Sequence, residues 1–307
     1  MAYRLGFDEH PPAALRRCAR EQLEDAVDQL ERRRGEDPVG AVHEARKSLK
    51  KTRAVLRLVR REIPKRSYRR ENLALRDAGR SVSGVRDADV LVETVDGLRE
   101  RFAGQIPAKT FTALRGRLAT QARAARDVDE GVVARLVEEL RGARTRVEDW
   151  PLEDIGWATA RRGAVNSYRR ARKAGSVAVE RPTAENLHEW RKRVKDHWYH
   201  QRLLEEAWPT VLAAQAEEAH ALSDALGGEH DLTVLVQRLT GSDGPLSDLG
   251  VDGDEVLELV ARRRAELAEA ATQLGRRIFA ESPKAYGRRL KRYVRAAAVE
   301  EPLAQAA

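Results

Sequence analysis

The 307-residue sequence has a single cysteine, Cys18, one methionine, and an aromatic content of only 5%. One thiol cannot close an internal disulfide or build a thiolate metal cluster. No apolar run approaches the roughly 18 residues that cross a bilayer, and Met1 is not followed by a signal-peptide pattern. These absences point to a soluble, cytoplasmic protein. β-Branched residues occur singly among Ala, Leu, Arg and Glu, a mixture that favours helix over strand.

What the chain does have is charge. Charged residues make up 35% of it, and the net charge is +8. Such a balance favours acidic partners, namely nucleic acid, anionic lipid or another polyphosphate. Most of this charge is compensated locally, so its distribution matters more than its total.

Helical periodicity runs almost throughout, and the expected fold class is all-α. Candidate helices cover 11–34, 38–61, 65–83, 88–102, 108–126, 130–146, 153–175, 184–207, 209–226, 231–240, 252–280 and 282–298. Asp37-Pro38 supplies an N-cap followed by proline at the first helical position. Gly227-Gly228 is expected to stop a helix, and Asp87 and Asp231 to cap the helices after them. The segment from Gly241 to Gly253 has the composition of a loop.

The chain also repeats itself. VHEARKSLK (42–50) lies against LHEWRKRVK (187–195) at a shift of 145, and Arg16-Arg17 falls on Arg161-Arg162 at the same shift. RDADVLV (86–92) matches HDLTVLV (230–236) at a shift of 144. Three matches in one order argue for duplication. The expected architecture is two antiparallel four-helix-type bundles, residues 1–150 and 151–307, related by a pseudo-twofold axis.

On the helix beginning near Pro38, Val42, Ala45, Leu49, Thr52, Leu56 and Val59 form an apolar seam. His43, Arg46, Lys47, Lys50, Arg57 and Arg61 gather on the other side, within about 60° of His43 at 100° per residue. The second copy repeats this, with Leu187, Trp190, Val194 and Leu204 on the seam. His188, Arg191, Lys192, Lys195, Arg202 and Tyr199 take its polar side. A solvated helix face normally mixes signs. Between Arg46 and Arg70, however, there are twelve Lys or Arg and one acid, Glu62. Like charges four residues apart repel unless an anion neutralises them, so the stripe points to a polyanion. Inorganic polyphosphate suits it, because guanidinium groups grip phosphate oxygens in bidentate fashion and lysines act as mobile charges. Histidine adds a donor whose protonation the anion favours, so His43 and His188 should contribute more near pH 6 than at neutrality.

The stripes HEARKSLKKTRAVLRL (43–58) and LHEWRKRVKDHWYHQRLL (187–204) resemble the two signature helices of the CHAD family, the conserved histidine α-helical domain. LRRCAREQLEDAV (15–27), RDADVLV, HDLTVLV and SPKAYGRRLKRYV (282–294) are similar to the family's pattern as well. The resemblance implies two four-helix bundles around a basic groove or pore that binds inorganic polyphosphate without catalysis. It implies a ligand-binding role for His43, Arg46, Lys47 and Lys50, and for His188, Arg191, Lys192 and Lys195. It further implies association with polyphosphate-containing granules or with a polyphosphate-metabolising enzyme. Lys51 is matched by Asp196 and Arg53 by Trp198, so the first copy should be the more electropositive.

Arg16, Arg17, Arg20, Lys51, Arg53, Arg161, Arg162, Arg169, Arg170 and Lys173 are second-tier candidates for a basic surface, as are Arg288, Arg289, Lys291 and Arg292. His197 falls on the apolar seam and reads as a packed, hydrogen-bonded histidine. His197 and His200 have a metal-compatible spacing but no evident third ligand, so neither metal nor cofactor is expected. Trp157, Trp190, Trp198 and Trp208 read as core. No phosphate-cradling loop or carboxylate cluster for Mg²⁺ is present, which argues against an enzyme. The alternatives are a nucleic-acid-binding protein using the same face, with few aromatics free to stack bases, and an accessory subunit of a polyphosphate- or triphosphate-processing enzyme.

Overall fold

The computed structural model describes residues 3–105, 107–125, 130–241 and 251–298. Among them are eleven α-helices and no strand. These are α1 (Pro11–Asp28), α2 (Pro38–Val59), α3 (Lys65–Ser81), α4 (Ser83–Arg101), α5 (Ala108–Ala125), α6 (Glu130–Arg146), α7 (Trp157–Glu180), α8 (Ala184–Leu203), α9 (Pro209–Leu239), α10 (Val251–Ile278) and α11 (Pro283–Ala297). A π-helical turn, Gln29–Arg33, extends α1, and a 3-10 turn, Glu205–Ala207, follows α8. None of the described helices is long and apolar enough to cross a membrane.

Helix starts follow local chemistry. The Asp37 carboxylate accepts a hydrogen bond from the Gly40 amide at 2.9 Å, with Pro38 at the first position of α2. Thr183 caps α8, and Ser282 with Pro283 opens α11 in the same way. Each such cap contributes about 1 kcal/mol.

Two expected boundaries are overturned. Gly227-Gly228 does not stop a helix, because α9 runs through both for 31 residues. A Cβ on Gly227 would lie 3.5 Å from the Arg191 guanidinium, and one on Gly228 would lie 3.1 Å from a Leu267 methyl. The glycines mark where α9 is covered closely by α8 and α10, and that packing outweighs a helix penalty of about 1 kcal/mol each. Asp231 therefore lies inside α9, and Asp87 inside α4, so neither caps a helix. Of the expected loop from Gly241 to Gly253, residues 242–250 lie outside the described residues, and Gly253 belongs to α10.

Two apolar cores hold the helices together. One spans α1, α2, α3, α6, α7, α8, the N-terminal part of α9, Ala271 of α10 and α11, and takes in Tyr3, Leu5 and Phe7 from the N-terminal segment. The other joins α4 and α5 to the C-terminal half of α9 and to α10. All six seam residues of α2 are buried, as are Leu187, Trp190, Val194 and Leu204. Trp190 is held between Gly175 of α7 and Gly275 of α10. Trp157 and Trp198 are partly buried, but Trp208 is not core: it is 48% exposed. Tyr199, expected on the polar side, is buried because Tyr3 packs edge-on against it while Leu5 donates its amide to the Leu203 carbonyl.

The contact that positions the site is between α2 and α7. A Cβ on Gly163 would overlap the Leu58 carbonyl oxygen, so only glycine permits this approach. With α2 also packed on α3 and α8, three helices face one another across a cleft.

Candidate anion-binding cleft

The cleft has a volume of about 470 Å³. From α2 come Arg46, Lys50, Arg53 and Arg57, and from α3 come Arg76 and Arg80. Helix α8 contributes Arg191, Lys192, Arg193 and Lys195. Among the described residues these ten cations face a single lining carboxylate, Asp196, which the Arg57 guanidinium engages at 2.6 Å.

Not every cation is equally committed. Lys192 is bonded to Glu189 at 3.0 Å, Arg193 to the same carboxylate, and Arg76 to Asp77 at 2.8 Å. Arg53 donates to the neutral Asn72 amide oxygen, and burial followed by the nearby Arg57 charge pulls it down to about 10. Arg191 and Lys195, one turn apart on α8, have no carboxylate partner within bonding distance among the described residues, and the Arg191 Nε is buried without an acceptor. Lys195 is lowered to about 7, first by burial and then by the charges of Arg191 and Lys50. Unpaired, half-buried cations of one sign destabilise a fold, and an anion placed among them would offset that cost.

The family model of the CHAD domain matches residues 17–240. The chain belongs to the CHAD-domain family. Comparison with curated proteins returns no match. The matched segment of this CHAD chain ends at Thr240, the residue that closes α9, yet α10 and α11 complete the packing of α8 and α7. Tyr286 of α11 stacks on Tyr168 of α7 with centroids 4.2 Å apart, and Gly275 of α10 lies against Trp190.

Of the residues singled out by sequence, the CHAD fold brings Arg46, Lys50, Arg57, Arg191, Lys192 and Lys195 to the cleft, with Arg53 from the second tier. Four others lie elsewhere. His43 is half-exposed beside Glu44, with its Nε2 4.0 Å from that carboxylate, and Lys47 is bonded to the same group at 2.9 Å. His188 has its ring centroid 4.2 Å from that of His230 on α9, and its Nδ1 is buried without a partner. Arg202 turns away, over the rings of Tyr3 and Trp198, into a separate groove with Arg4 and Glu205. Burial and the His230 ring lower His188 to about 4, so its charge appears well below the pH 6 expected from sequence.

Other second-tier residues are occupied locally. Arg16 bonds the Trp150 carbonyl and Glu153, Arg17 bonds Glu9 and Glu21, and Arg20 bonds Glu148, tying α1 to its surroundings. Lys51 lies over the Tyr3 ring, Arg161 donates to the Gly287 carbonyl, and Arg162 bonds Glu62. Arg169, Arg170 and Lys173 on α7 do not line the cleft. On α11, Arg288, Lys291 and Arg292 are exposed, while Arg289 bonds Glu281.

Arg76, Arg80 and Arg193 were not anticipated. The i,i+4 spacing of Arg76 and Arg80 was a usable signal, but only the packing of α3 on α2 aims them at the stripe. No group of three or more metal-ligating side chains is found among the described residues. His197 is fully buried among Tyr168, Phe279 and Tyr286, as a packed histidine should be, but neither ring nitrogen has a partner, contrary to the expected hydrogen bond. His200 has its Nε2 3.0 Å from the Ala54 carbonyl oxygen.

Proposed function

We propose that this CHAD protein binds inorganic polyphosphate non-catalytically in the cleft between α2, α3 and α8. One observation carries the reading: cations from three helices converge there, where the one lining carboxylate among the described residues is already paired, and no described carboxylate lies within bonding distance of Arg191 or Lys195. A chain of phosphates supplies closely spaced charge and many acceptor oxygens, which matches guanidinium groups a helical turn apart. Phosphoryl transfer would need carboxylates to hold Mg²⁺, and the one described here is held by Arg57. Nucleic acid is the weaker reading, because among the described residues lining the cleft the one aromatic, Tyr199, is buried and offers bases no exposed ring to stack on.

The same reading takes residues 1–150 and 151–307 as two copies of one bundle. Lys47 with Glu44 and Lys192 with Glu189 form corresponding i,i+3 ion pairs, and Arg46 with Arg191 and Lys50 with Lys195 supply corresponding cations. It assigns the protein to the cytoplasm, where it would associate with polyphosphate granules or serve a polyphosphate-processing enzyme.

Titration of the purified chain with long-chain polyphosphate, RNA and DNA at several salt concentrations tests this. If six cations engage, the slope of log K against log salt is about −4, a loss of roughly 250-fold between 50 and 200 mM. Reversing Arg46, Lys50, Arg191 and Lys192 to Glu abolishes binding while circular dichroism stays helical. Parent-like binding by that variant sinks the assignment, and tighter binding of RNA at matched charge favours the nucleic-acid reading.

A further inference from the structure

We propose that Lys195 is a modification site, at which small acyl phosphates captured by the cleft acylate the Nζ amine and so weaken polyanion binding. This rests on the cleft being an anion site. Lys195 lines the cleft from α8, flanked by Arg191 on its own helix and by Lys50 from α2. The acids that oppose this most, Asp224 and Asp231 on α9, each exert a weaker pull than either cation, and no carboxylate lies within bonding distance among the described residues. Lys192 differs, being exposed and bonded to Glu189.

That environment gives Lys195 the two properties the reaction needs. Arg191 and Lys50 can hold the phosphate of the reagent, which places the acyl carbon beside the amine. Burial between like charges keeps a large share of the amine unprotonated near neutrality, whereas an ordinary lysine is almost wholly protonated. The amine lone pair attacks the acyl carbonyl carbon, and the bond from that carbon to the bridging oxygen breaks. Inorganic phosphate leaves with the electron pair, and the amine proton passes to solvent. The product is a neutral amide, so one cation is lost from the centre of the cleft.

The test uses acetyl phosphate on the full chain at pH 7, with peptide mapping by mass spectrometry over time. Lys195 should be acetylated at least about tenfold faster than Lys192. The preference should vanish in guanidinium-unfolded protein, and long-chain polyphosphate should slow the reaction. The acetylated protein should bind polyphosphate at least about tenfold more weakly, the loss expected for one charge-assisted contact. Equal rates at Lys195 and Lys192, or a preference that survives unfolding, overturn the proposal whatever the chain binds. A fast reaction at Lys195 that polyphosphate leaves untouched upholds the reactive amine and instead refutes polyphosphate binding in the cleft.

Discussion

Polyphosphate binding should take up protons, and Lys195 should be the main acceptor. Its amine is lowered to about 7 by burial, then by Arg191 and Lys50, with Asp224 and Asp231 opposing less strongly. A bound anion would restore it towards the ordinary 10.5. The bound form then holds more protons than the free form between those values, so affinity must fall as pH rises through that window. Full restoration gives an uptake of about half a proton at pH 7 and a loss of affinity of roughly 50-fold between pH 7 and pH 9. Calorimetry at pH 7 in two buffers of different ionisation enthalpy reads the uptake directly, and anisotropy titrations at fixed ionic strength read the affinity. In Lys195→Arg the cation is permanent, so the uptake at pH 7 should disappear and the profile should flatten. An equally steep profile in that variant would refute the reasoning, and the protons would then have to enter elsewhere.

Three further outcomes follow from the packing. Asp196→Asn removes the one described carboxylate of the cleft and leaves Arg57 unpartnered there, so stability should fall by about 3 kcal/mol in urea denaturation while polyphosphate binds more tightly; weaker binding would mean that Asp196 organises the site. Gly163→Ala forces a methyl into the Leu58 carbonyl and should cost about 1–3 kcal/mol, read as a lower Tm, whereas an unchanged Tm contradicts the close approach of α2 and α7. Burial holds His197 at about 3 and His200 at about 4, below the ordinary 6.5. Stability is therefore complete above about pH 6.5 and declines as pH falls towards those values, by at most about 1.4 kcal/mol per pH unit for each ring. Replacing His197 with Phe removes two unpartnered buried nitrogens and should raise stability while shallowing the acid slope; an unchanged slope would place the acid sensitivity in other groups.

The sequence by itself determined what is local. Helical type, the Asp37-Pro38 start of α2 and the division of α2 into a buried seam and a basic stripe all follow from residues within a turn or two of one another. Those features are set by backbone propensity and a 3.6-residue period. The CHAD signature is legible for the same reason, being written along single helices. Tertiary structure decided what depends on a neighbour. Gly227-Gly228 reads as a stop until Arg191 and Leu267 are seen packed on it. Arg57 and Arg202 occupy corresponding places on their stripes, yet one enters the cleft against Asp196 and the other turns onto Tyr3 and Trp198. Arg76 and Arg80 join the site only because α3 lies against α2. Lys195 looks like any lysine on a basic face: Arg191 one turn away is visible in the sequence, but the burial and the Lys50 charge that complete its environment exist only once other helices pack against α8. Charge and periodicity can be counted along a sequence, but desolvation and pairing exist only once the helices meet.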